Sequence, residues 1–229
     1  MSKHCYIVDR TSLYVAYDDG TNDRIGTGWE KVCALGAFDH RLFAIWQECL
    51  MEVDPGTGQD TTISRHWGSS RAMLAGTRGR ILVGVGAKIY EALLDGEHRT
   101  VGADFVGLTH LAATEGRFFA AEDGRIQEID PDAGTWRLVG ERWESLYAFT
   151  AVAGVGYILQ NDGDLYSLDL DSGAYERIST GWHDATALIP GEDCLFVLDS
   201  TVLYCVGFDG RHAAASSGWN HVVAWGGQG

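Results

Sequence analysis

The sequence has few positively charged residues, and this limits the kinds of molecule that the protein is expected to bind. Lys and Arg together number 17 against 32 Asp and Glu, so the 229 residues carry a formal net charge of −15. A surface of this sign repels phosphate backbones and anionic lipid. No run of basic residues offsets the repulsion. We therefore expect neither a nucleic acid nor a membrane as the partner.

Long apolar segments, a leader pattern and paired cysteine motifs are also missing. No stretch approaches the roughly 18 uninterrupted apolar residues of a membrane span, and the first residues lack the basic-then-apolar pattern of a secretory signal. The five cysteines show no C-x-x-C or Cys/His zinc spacing, and we expect them to be small buried residues of strands. These absences predict a cytoplasmic protein, and secretion without a leader stays open as the alternative.

Helical periodicity is absent, and only three prolines occur. In contrast, 30 glycines, eight tryptophans and 45% apolar residues are typical of a folded chain of many short strands joined by tight turns. Aspartate-glycine pairs are strong signals for hairpin turns. They occur at Asp95-Gly96, Asp123-Gly124, Asp162-Gly163 and Asp209-Gly210. The sequence therefore predicts an all-β fold.

One large aromatic residue returns at a nearly constant interval and divides the chain into six similar units. These recurring aromatics are Trp29, Trp67, Phe105, Trp143, Trp182 and Trp219, with intervals of 38, 38, 38, 39 and 37 residues. The fifth residue after each of them is, in order, Ala34, Ala72, His110, Ala148, Ala187 and Ala224. A period of this size signals a solenoid or a propeller, because no unit can bury its apolar face alone.

The two ends of the chain distinguish a solenoid from a propeller. A complete unit has four predicted strands (31–37, 41–46, 49–54 and 60–64 in the first), whereas the last unit stops after one strand, 222–227. The N-terminal residues supply the three missing strands, and the interval from Trp219 through the C-terminus and on to Trp29 is 39 residues, which equals one period. We therefore predict a six-bladed β-propeller whose four-stranded antiparallel blades have about 38 residues each and whose N- and C-terminal strands share one blade. Residues 1–229 then form a single domain, with blades at approximately 26–64, 65–102, 103–140, 141–179, 180–216, and 217–229 plus 1–25.

The recurring aromatics have a structural explanation in this fold. Each precedes the first strand of its unit, where a large ring can wedge between neighbouring blades and contribute roughly 2–3 kcal/mol through buried apolar area. The alanine column reflects the close approach of the innermost strands. Stacking of the rings against a ligand is the alternative.

Several units share a longer pattern, which is clearest in Ile25-Gly26-Thr27-Gly28-Trp29, Arg41-Leu42-Phe43-Ala44-Ile45 and Leu165-Tyr166. This pattern resembles the repeat of the tachylectin family, β-propeller lectins that bind N-acetylated sugars at several equivalent sites. The resemblance extends through all six units and implies a propeller that binds carbohydrate. Because its motifs are mostly core residues, it assigns no individual sugar contacts.

Candidate site residues follow from the expected geometry of the loops. In a propeller, the loops leading into the first strand and those between the second and third strands share one face around the channel mouth. Polar residues one or two positions after the recurring aromatics would ring this mouth: Glu30, Glu144, His183, Asp184, Asn220 and His221. Such carboxylates and imidazoles can bind a divalent metal or pair an acid with a base, and a solvated polar rim is the alternative. These positions differ between units, which favours one or two distinct sites over six equal ones.

Two inner positions also break the repeat. His110 replaces an alanine, so its imidazole either faces the channel or packs between blades with a hydrogen-bond partner. Arg71, four positions after Trp67, would select an anionic group or pair with a nearby acid.

Three functions remain as hypotheses. The first is a non-catalytic propeller, without a cofactor, that binds carbohydrate or another small ligand through loops on one face. The second is a small-molecule enzyme with one asymmetric site at the channel mouth, where a divalent metal is an option. The third is a scaffold for protein interactions.

Overall fold

The computed structural model describes residues 3–68, 72–102 and 104–227. Within these ranges the chain forms 24 β-strands, arranged in six four-stranded antiparallel sheets. The innermost strand of each sheet contacts the innermost strands of both neighbouring sheets, which closes a ring. The predicted all-β, six-bladed propeller is confirmed. Across the described ranges, no helix is long and apolar enough to cross a membrane.

The strands of each blade are given from the channel outwards. Blade 1 contains β24 (Val222–Gly227), β1 (His4–Asp9), β2 (Ser12–Tyr17) and β3 (Asn22–Thr27). Blade 2 contains β4 (Val32–Phe38), β5 (Arg41–Trp46), β6 (Cys49–Val53) and β7 (Asp60–Arg65). Blade 3 contains β8 (Met73–Thr77), β9 (Arg80–Val85), β10 (Lys88–Ala92) and β11 (His98–Gly102). Blade 4 contains β12 (Leu108–Thr114), β13 (Arg117–Glu122), β14 (Arg125–Asp130) and β15 (Thr135–Gly140). Blade 5 contains β16 (Leu146–Val152), β17 (Val155–Gln160), β18 (Leu165–Asp169) and β19 (Tyr175–Ser179). Blade 6 contains β20 (Ala185–Pro190), β21 (Leu195–Asp199), β22 (Val202–Val206) and β23 (His212–Ser217).

Ring closure occurs in blade 1, where the last strand pairs with the first. β24 runs antiparallel to β1, with Val8 opposite Ala224, as predicted from the two incomplete ends. The backbone N–H of His221 also donates to Asp9 Oδ1 at 2.7 Å. β24 then approaches β4 of blade 2 so closely that a Cβ atom on Gly226 would lie 3.0 Å from the Cα of Gly36. Only glycine fits at this contact without displacing the neighbouring backbone.

The recurring aromatics are buried, with 2–5% of their surface exposed, which confirms the predicted structural role. The backbone N–H of each donates to a carbonyl in the loop between the second and third strands of the preceding blade. The acceptors are Thr11, Glu48, Ala87, Gly124, Gly163 and Thr201. The loops that lead into each blade therefore lie on the same face as these acceptor loops. We call this the upper face.

The strand predictions were close, with one exception among the cysteines. In blade 2 the four predicted strands agree with β4 to β7 to within one residue at each end. All five cysteines are free. Cys5 and Cys194 are buried, whereas Cys33, Cys49 and Cys205 are only partly buried, so the expected burial was wrong for these three. Cys194, however, lies just before β21 rather than in a strand, so that assignment was wrong.

Ion pairs connect neighbouring blades on the lower side of the ring. Glu91, which is nearly fully buried, accepts from Arg80 at 2.7 Å and from Arg99 at 2.6 Å. Both guanidinium groups reach Asp132 of blade 4, at 3.0 and 2.9 Å. Charged groups that share several partners in this way stabilise an interface more than an isolated exposed pair does.

Candidate functional site

The central channel contains a cavity of about 220 Å³. Its wall consists mainly of small and apolar side chains from the innermost strands, including Ala34, Ala72, Ala148 and Ala224 of the predicted alanine column. The cavity is large enough for several water molecules or one small ligand, because one water occupies about 30 Å³ in the liquid.

His110 lines this cavity, as one of its two predicted placements required. Its Nδ1 is buried and has no hydrogen-bond partner among the described residues, whereas the ring also forms a hydrogen bond with the backbone of Tyr147, so His110 combines features of both predicted placements. Burial lowers the pKa of His110 to about 4, and the nearby backbone of Tyr147 opposes this shift only in part. The imidazole is consequently neutral near pH 7 and adds one polar group to an otherwise apolar wall.

The predicted rim residues lie exposed on the upper face. They are Glu30 in blade 2, Glu144 in blade 5, His183 and Asp184 in blade 6, and Asn220 and His221 in blade 1. Among the described residues, no side chain of this set forms a hydrogen bond with another: the Asn220 amide donates to the carbonyl of Gly218 instead. These residues therefore follow the rim through consecutive blades, as predicted, and a site shared between them stays a prediction.

Shallow depressions on the upper face divide these residues further. Asn220 and His221 line one depression of about 360 Å³, at the boundary of blades 6 and 1. Glu144 lines another of about 370 Å³, beside Asp123 at the boundary of blades 4 and 5. A third, of about 690 Å³, contains none of the predicted site residues. Glu144 therefore lies in a different depression from Asn220 and His221.

An electrostatic perturbation lies at the rim of blade 6. Burial raises the pKa of Asp199, and the nearby charge of Asp184 raises it further, whereas His183 acts in the opposite direction. Asp199 Oδ1 is buried and has no hydrogen-bond partner. Within the described ranges, no group of three or more His, Cys, Asp or Glu side chains is arranged to hold a metal ion. The metal site and the enzyme hypothesis stay predictions, and Arg71 lies outside the described residues.

A feature that sequence reasoning missed lies on the sides of three blades. There the recurring tryptophan packs edge-to-face with a tyrosine of the third strand and with a histidine or tyrosine of the outermost strand, at ring-centroid distances of 4.8–6.1 Å. We call each of these clusters an aromatic shelf. The three shelves are Trp67, Tyr90 and His98 in blade 3, Trp143, Tyr166 and Tyr175 in blade 5, and Trp182, Tyr204 and His212 in blade 6.

The three rings of a shelf differ in accessibility. The tryptophan is buried, the tyrosine is partly buried, and the outermost ring is exposed. Tyr175 exposes 64% of its surface, more than any other large aromatic among the described residues. The recurring tyrosine of the third strand was visible as a sequence pattern. The outermost ring had no detectable signal, because its type changes and the preceding turn varies in length.

Comparisons with known proteins identify the fold alone. A chain in the crystal structure of a nidogen/laminin complex superposes with a TM-score of 0.80 over 98% of this chain and 97% of that one, at 13% identity. PorZ, a surface component of the type-IX secretion system of Porphyromonas gingivalis, gives a TM-score of 0.66 at 15% identity, over 98% of this chain and 33% of PorZ. The computationally designed protein Ika8 gives 0.58 at 12% identity, over 97% and 90%. No family model and no curated protein matches the chain.

Proposed function

We propose that this protein is a non-catalytic binding propeller whose ligand is carbohydrate, held against the aromatic shelves on the sides of the blades. The observation that supports this most strongly is the recurrence of a shelf with an exposed outermost ring in three blades. A pyranose presents a face of C–H groups, which packs well on the negative face of an aromatic ring. The fold needs the buried tryptophan of each shelf, but it does not need the exposed ring.

This proposal changes the expected position of the ligand. Sequence reasoning placed it on the upper face, where the loops diverge from blade to blade. The shelves, by contrast, repeat the same three-ring arrangement, and repeated sites are what the resemblance to tachylectin-like repeats implies. Histidine in two of the shelves and tyrosine in the third would give each site a different affinity.

A glycan array followed by isothermal titration calorimetry tests the proposal. We expect binding of neutral glycans that a combined His98→Ala, Tyr175→Ala and His212→Ala variant loses. A Leu94→Ala variant, at an exposed apolar position in the turn before β11, is the matched control and should bind like the unmodified protein. Circular dichroism would verify that the triple variant remains folded. Absence of binding to any glycan at millimolar concentration would reject the carbohydrate function.

Protein binding through the upper face is the second candidate, and a separate observation favours it. Val106, Tyr147 and Val223 expose 85%, 40% and 44% of their surface on that face, close to the carboxylates of the rim. Apolar groups surrounded by polar ones are typical of protein-interaction sites. The nidogen/laminin neighbour is itself a component of a protein complex. The expected partner has an apolar centre within a basic surface.

Affinity purification with three baits separates this candidate from the first. The baits are the unmodified protein, a Val106→Asp/Tyr147→Asp variant of the upper face, and a Leu94→Asp variant of the opposite face. We expect the first and third baits to retain the same proteins, and the second to lose some of them. Identical sets of proteins on all three baits would contradict a role for the upper face.

A further inference from the structure

The shelf of blade 5 differs from the other two because polar groups lie next to it. Asp164 Oδ2 accepts a hydrogen bond from Arg177 Nη1 at 3.0 Å and one from the Tyr166 hydroxyl at 3.3 Å. Tyr166 is also a member of the shelf, 6.1 Å from the ring of Tyr175. An exposed ring, a guanidinium and a carboxylate are thus brought together on one surface.

The sheet register explains why these side chains share a surface. Tyr166 lies opposite Arg177 in the pairing of β18 with β19. Tyr175 is two residues before Arg177, and Asp164 is two residues before Tyr166. Side chains two positions apart on a strand point to the same side. All four therefore project from the same side of blade 5, the side that carries Trp143 and packs towards blade 4.

Each of the outer groups has unused binding capacity. Tyr175 exposes 64% of its surface, and the side chain of Arg177 exposes 57%. Arg177 uses one N–H group in its pair with Asp164, so other donors of the guanidinium stay free. The side chain of Asp164 is 17% exposed, and among the described residues none donates to its Oδ1. One acceptor and several donors therefore lie beside an open aromatic ring.

The equivalent positions in the other shelves lack these groups. The residue opposite the shelf tyrosine is Thr100 in blade 3 and Ala214 in blade 6, where blade 5 has Arg177. The position of Asp164 is occupied by Lys88 in blade 3 and by Val202 in blade 6. Neither of those shelves can present a carboxylate and a guanidinium together at these positions.

We propose that the Tyr175 shelf of blade 5 is the highest-affinity sugar site of this propeller and that it takes a neutral pyranoside with two adjacent hydroxyl groups. The inference rests on the proposed carbohydrate function. The apolar face of the sugar packs on Tyr175, one hydroxyl donates to Asp164 Oδ1, and its neighbour accepts from Arg177. A neutral sugar fits better than an anionic one, because Asp164 already compensates the guanidinium and the net charge of −15 repels anions.

Titration calorimetry with methyl glucoside, methyl galactoside and methyl mannoside, together with glucuronic acid as the anionic probe, tests this site. We expect Tyr175→Ala and Asp164→Asn each to weaken binding of the best neutral probe at least tenfold, which is about 1.4 kcal/mol. Tyr175→Phe should remain within about twofold, because the ring and not the hydroxyl contacts the sugar. Leu94→Ala, an exposed position outside all three shelves, is the matched control and should leave this affinity unchanged.

The outcomes separate the site from the function on which it rests. Sugar binding that survives both Tyr175→Ala and Asp164→Asn but is lost in His212→Ala would overturn the assignment to blade 5 and leave the carbohydrate function standing. Tighter binding of glucuronic acid than of every neutral probe would overturn the ligand class. No binding of any probe, with the glycan array also negative, would overturn both proposals.

Discussion

Replacing Gly140 by serine is expected to stabilise the protein, because a buried donor in blade 5 has no acceptor. The residue three positions before the recurring tryptophan is serine in three blades, where the indole N–H donates to the serine oxygen. The pairs are Trp67 with Ser64 at 2.6 Å, Trp182 with Ser179 at 3.0 Å, and Trp219 with Ser216 at 2.8 Å. Gly140 occupies this position before Trp143, whose Nε1 is buried without a partner.

The expected gain is the sum of two effects. A buried N–H without a partner costs about 1–3 kcal/mol. A side chain at a glycine with an ordinary backbone conformation reduces the entropy of the unfolded chain, which contributes about 0.4–1 kcal/mol. A Cβ atom on Gly140 would lie 3.1 Å from Trp143 Nε1 and 3.6 Å from the side chain of Leu168, so a shift of a few tenths of an ångström offsets part of the gain. We expect a net increase of about 1–2 kcal/mol in the free energy of unfolding.

Urea denaturation followed by circular dichroism measures this difference, and two further variants isolate the hydrogen bond. Gly140→Ala adds the Cβ atom without the acceptor, so Gly140→Ser should exceed it by about 1 kcal/mol. In a Trp143→Phe background the donor is gone, and the advantage of serine over alanine should disappear. If serine is no more stable than alanine at position 140 next to the intact tryptophan, the account of the orphan N–H is refuted.

Two further predictions concern buried titratable groups. Glu91→Gln should destabilise the protein by about 1.5–3 kcal/mol, because the hydrogen bonds of Arg80 and Arg99 to a buried carboxylate are replaced by weaker ones to a neutral amide, while both keep Asp132. Burial raises the pKa of Glu91, but the hydrogen bonds from both arginines outweigh burial and lower the pKa below its ordinary value of 4.5. The stability that Glu91 contributes is therefore lost as the pH falls below 4.5. Glu91→Gln should consequently show a flatter dependence of the free energy of unfolding on pH in this acidic range. The unmodified protein should lose about 3 kcal/mol of stability between pH 6.5 and about 4, where only the unfolded chain binds the proton of His110. His110→Ala should remove this loss. Parallel pH profiles for variant and unmodified protein would contradict either prediction.

The propeller could be predicted because the residues that pack its blades together are also the ones that repeat in the sequence. Trp29 and its equivalents are buried between blades, and burial in equivalent surroundings requires a large aromatic side chain at each position. Ring closure could be predicted for a related reason: a blade with one strand at the C-terminus exposes a sheet edge unless three further strands pair with it, and residues 4–27 supply them.

The candidate site was harder to predict, because its residues carry no repeated signal. Glu144 and His221 were found as polar residues next to core positions, yet they line separate depressions. Asp164 and Arg177 are 13 residues apart and meet only through the register of β18 and β19. A bulge between Leu165 and Tyr166 shifts that register, and the residue pattern contains no signal for it.

The difference between buried and exposed positions also explains where a blade of this repeat can acquire a specific binding site. A change at Trp143 or Leu165 alters the packing of a buried position and costs several kcal/mol. A change at Tyr175 or Arg177 affects an exposed position of the outermost strand, where substitutions typically alter stability by less than about 0.5 kcal/mol. All six blades can therefore keep the same fold while substitutions in the outermost strand of one blade add an aromatic side chain and an arginine. On this reasoning, Val202→Asp together with Ala214→Arg should raise the sugar affinity of the His212 shelf in blade 6 without loss of folding, which titration calorimetry would measure.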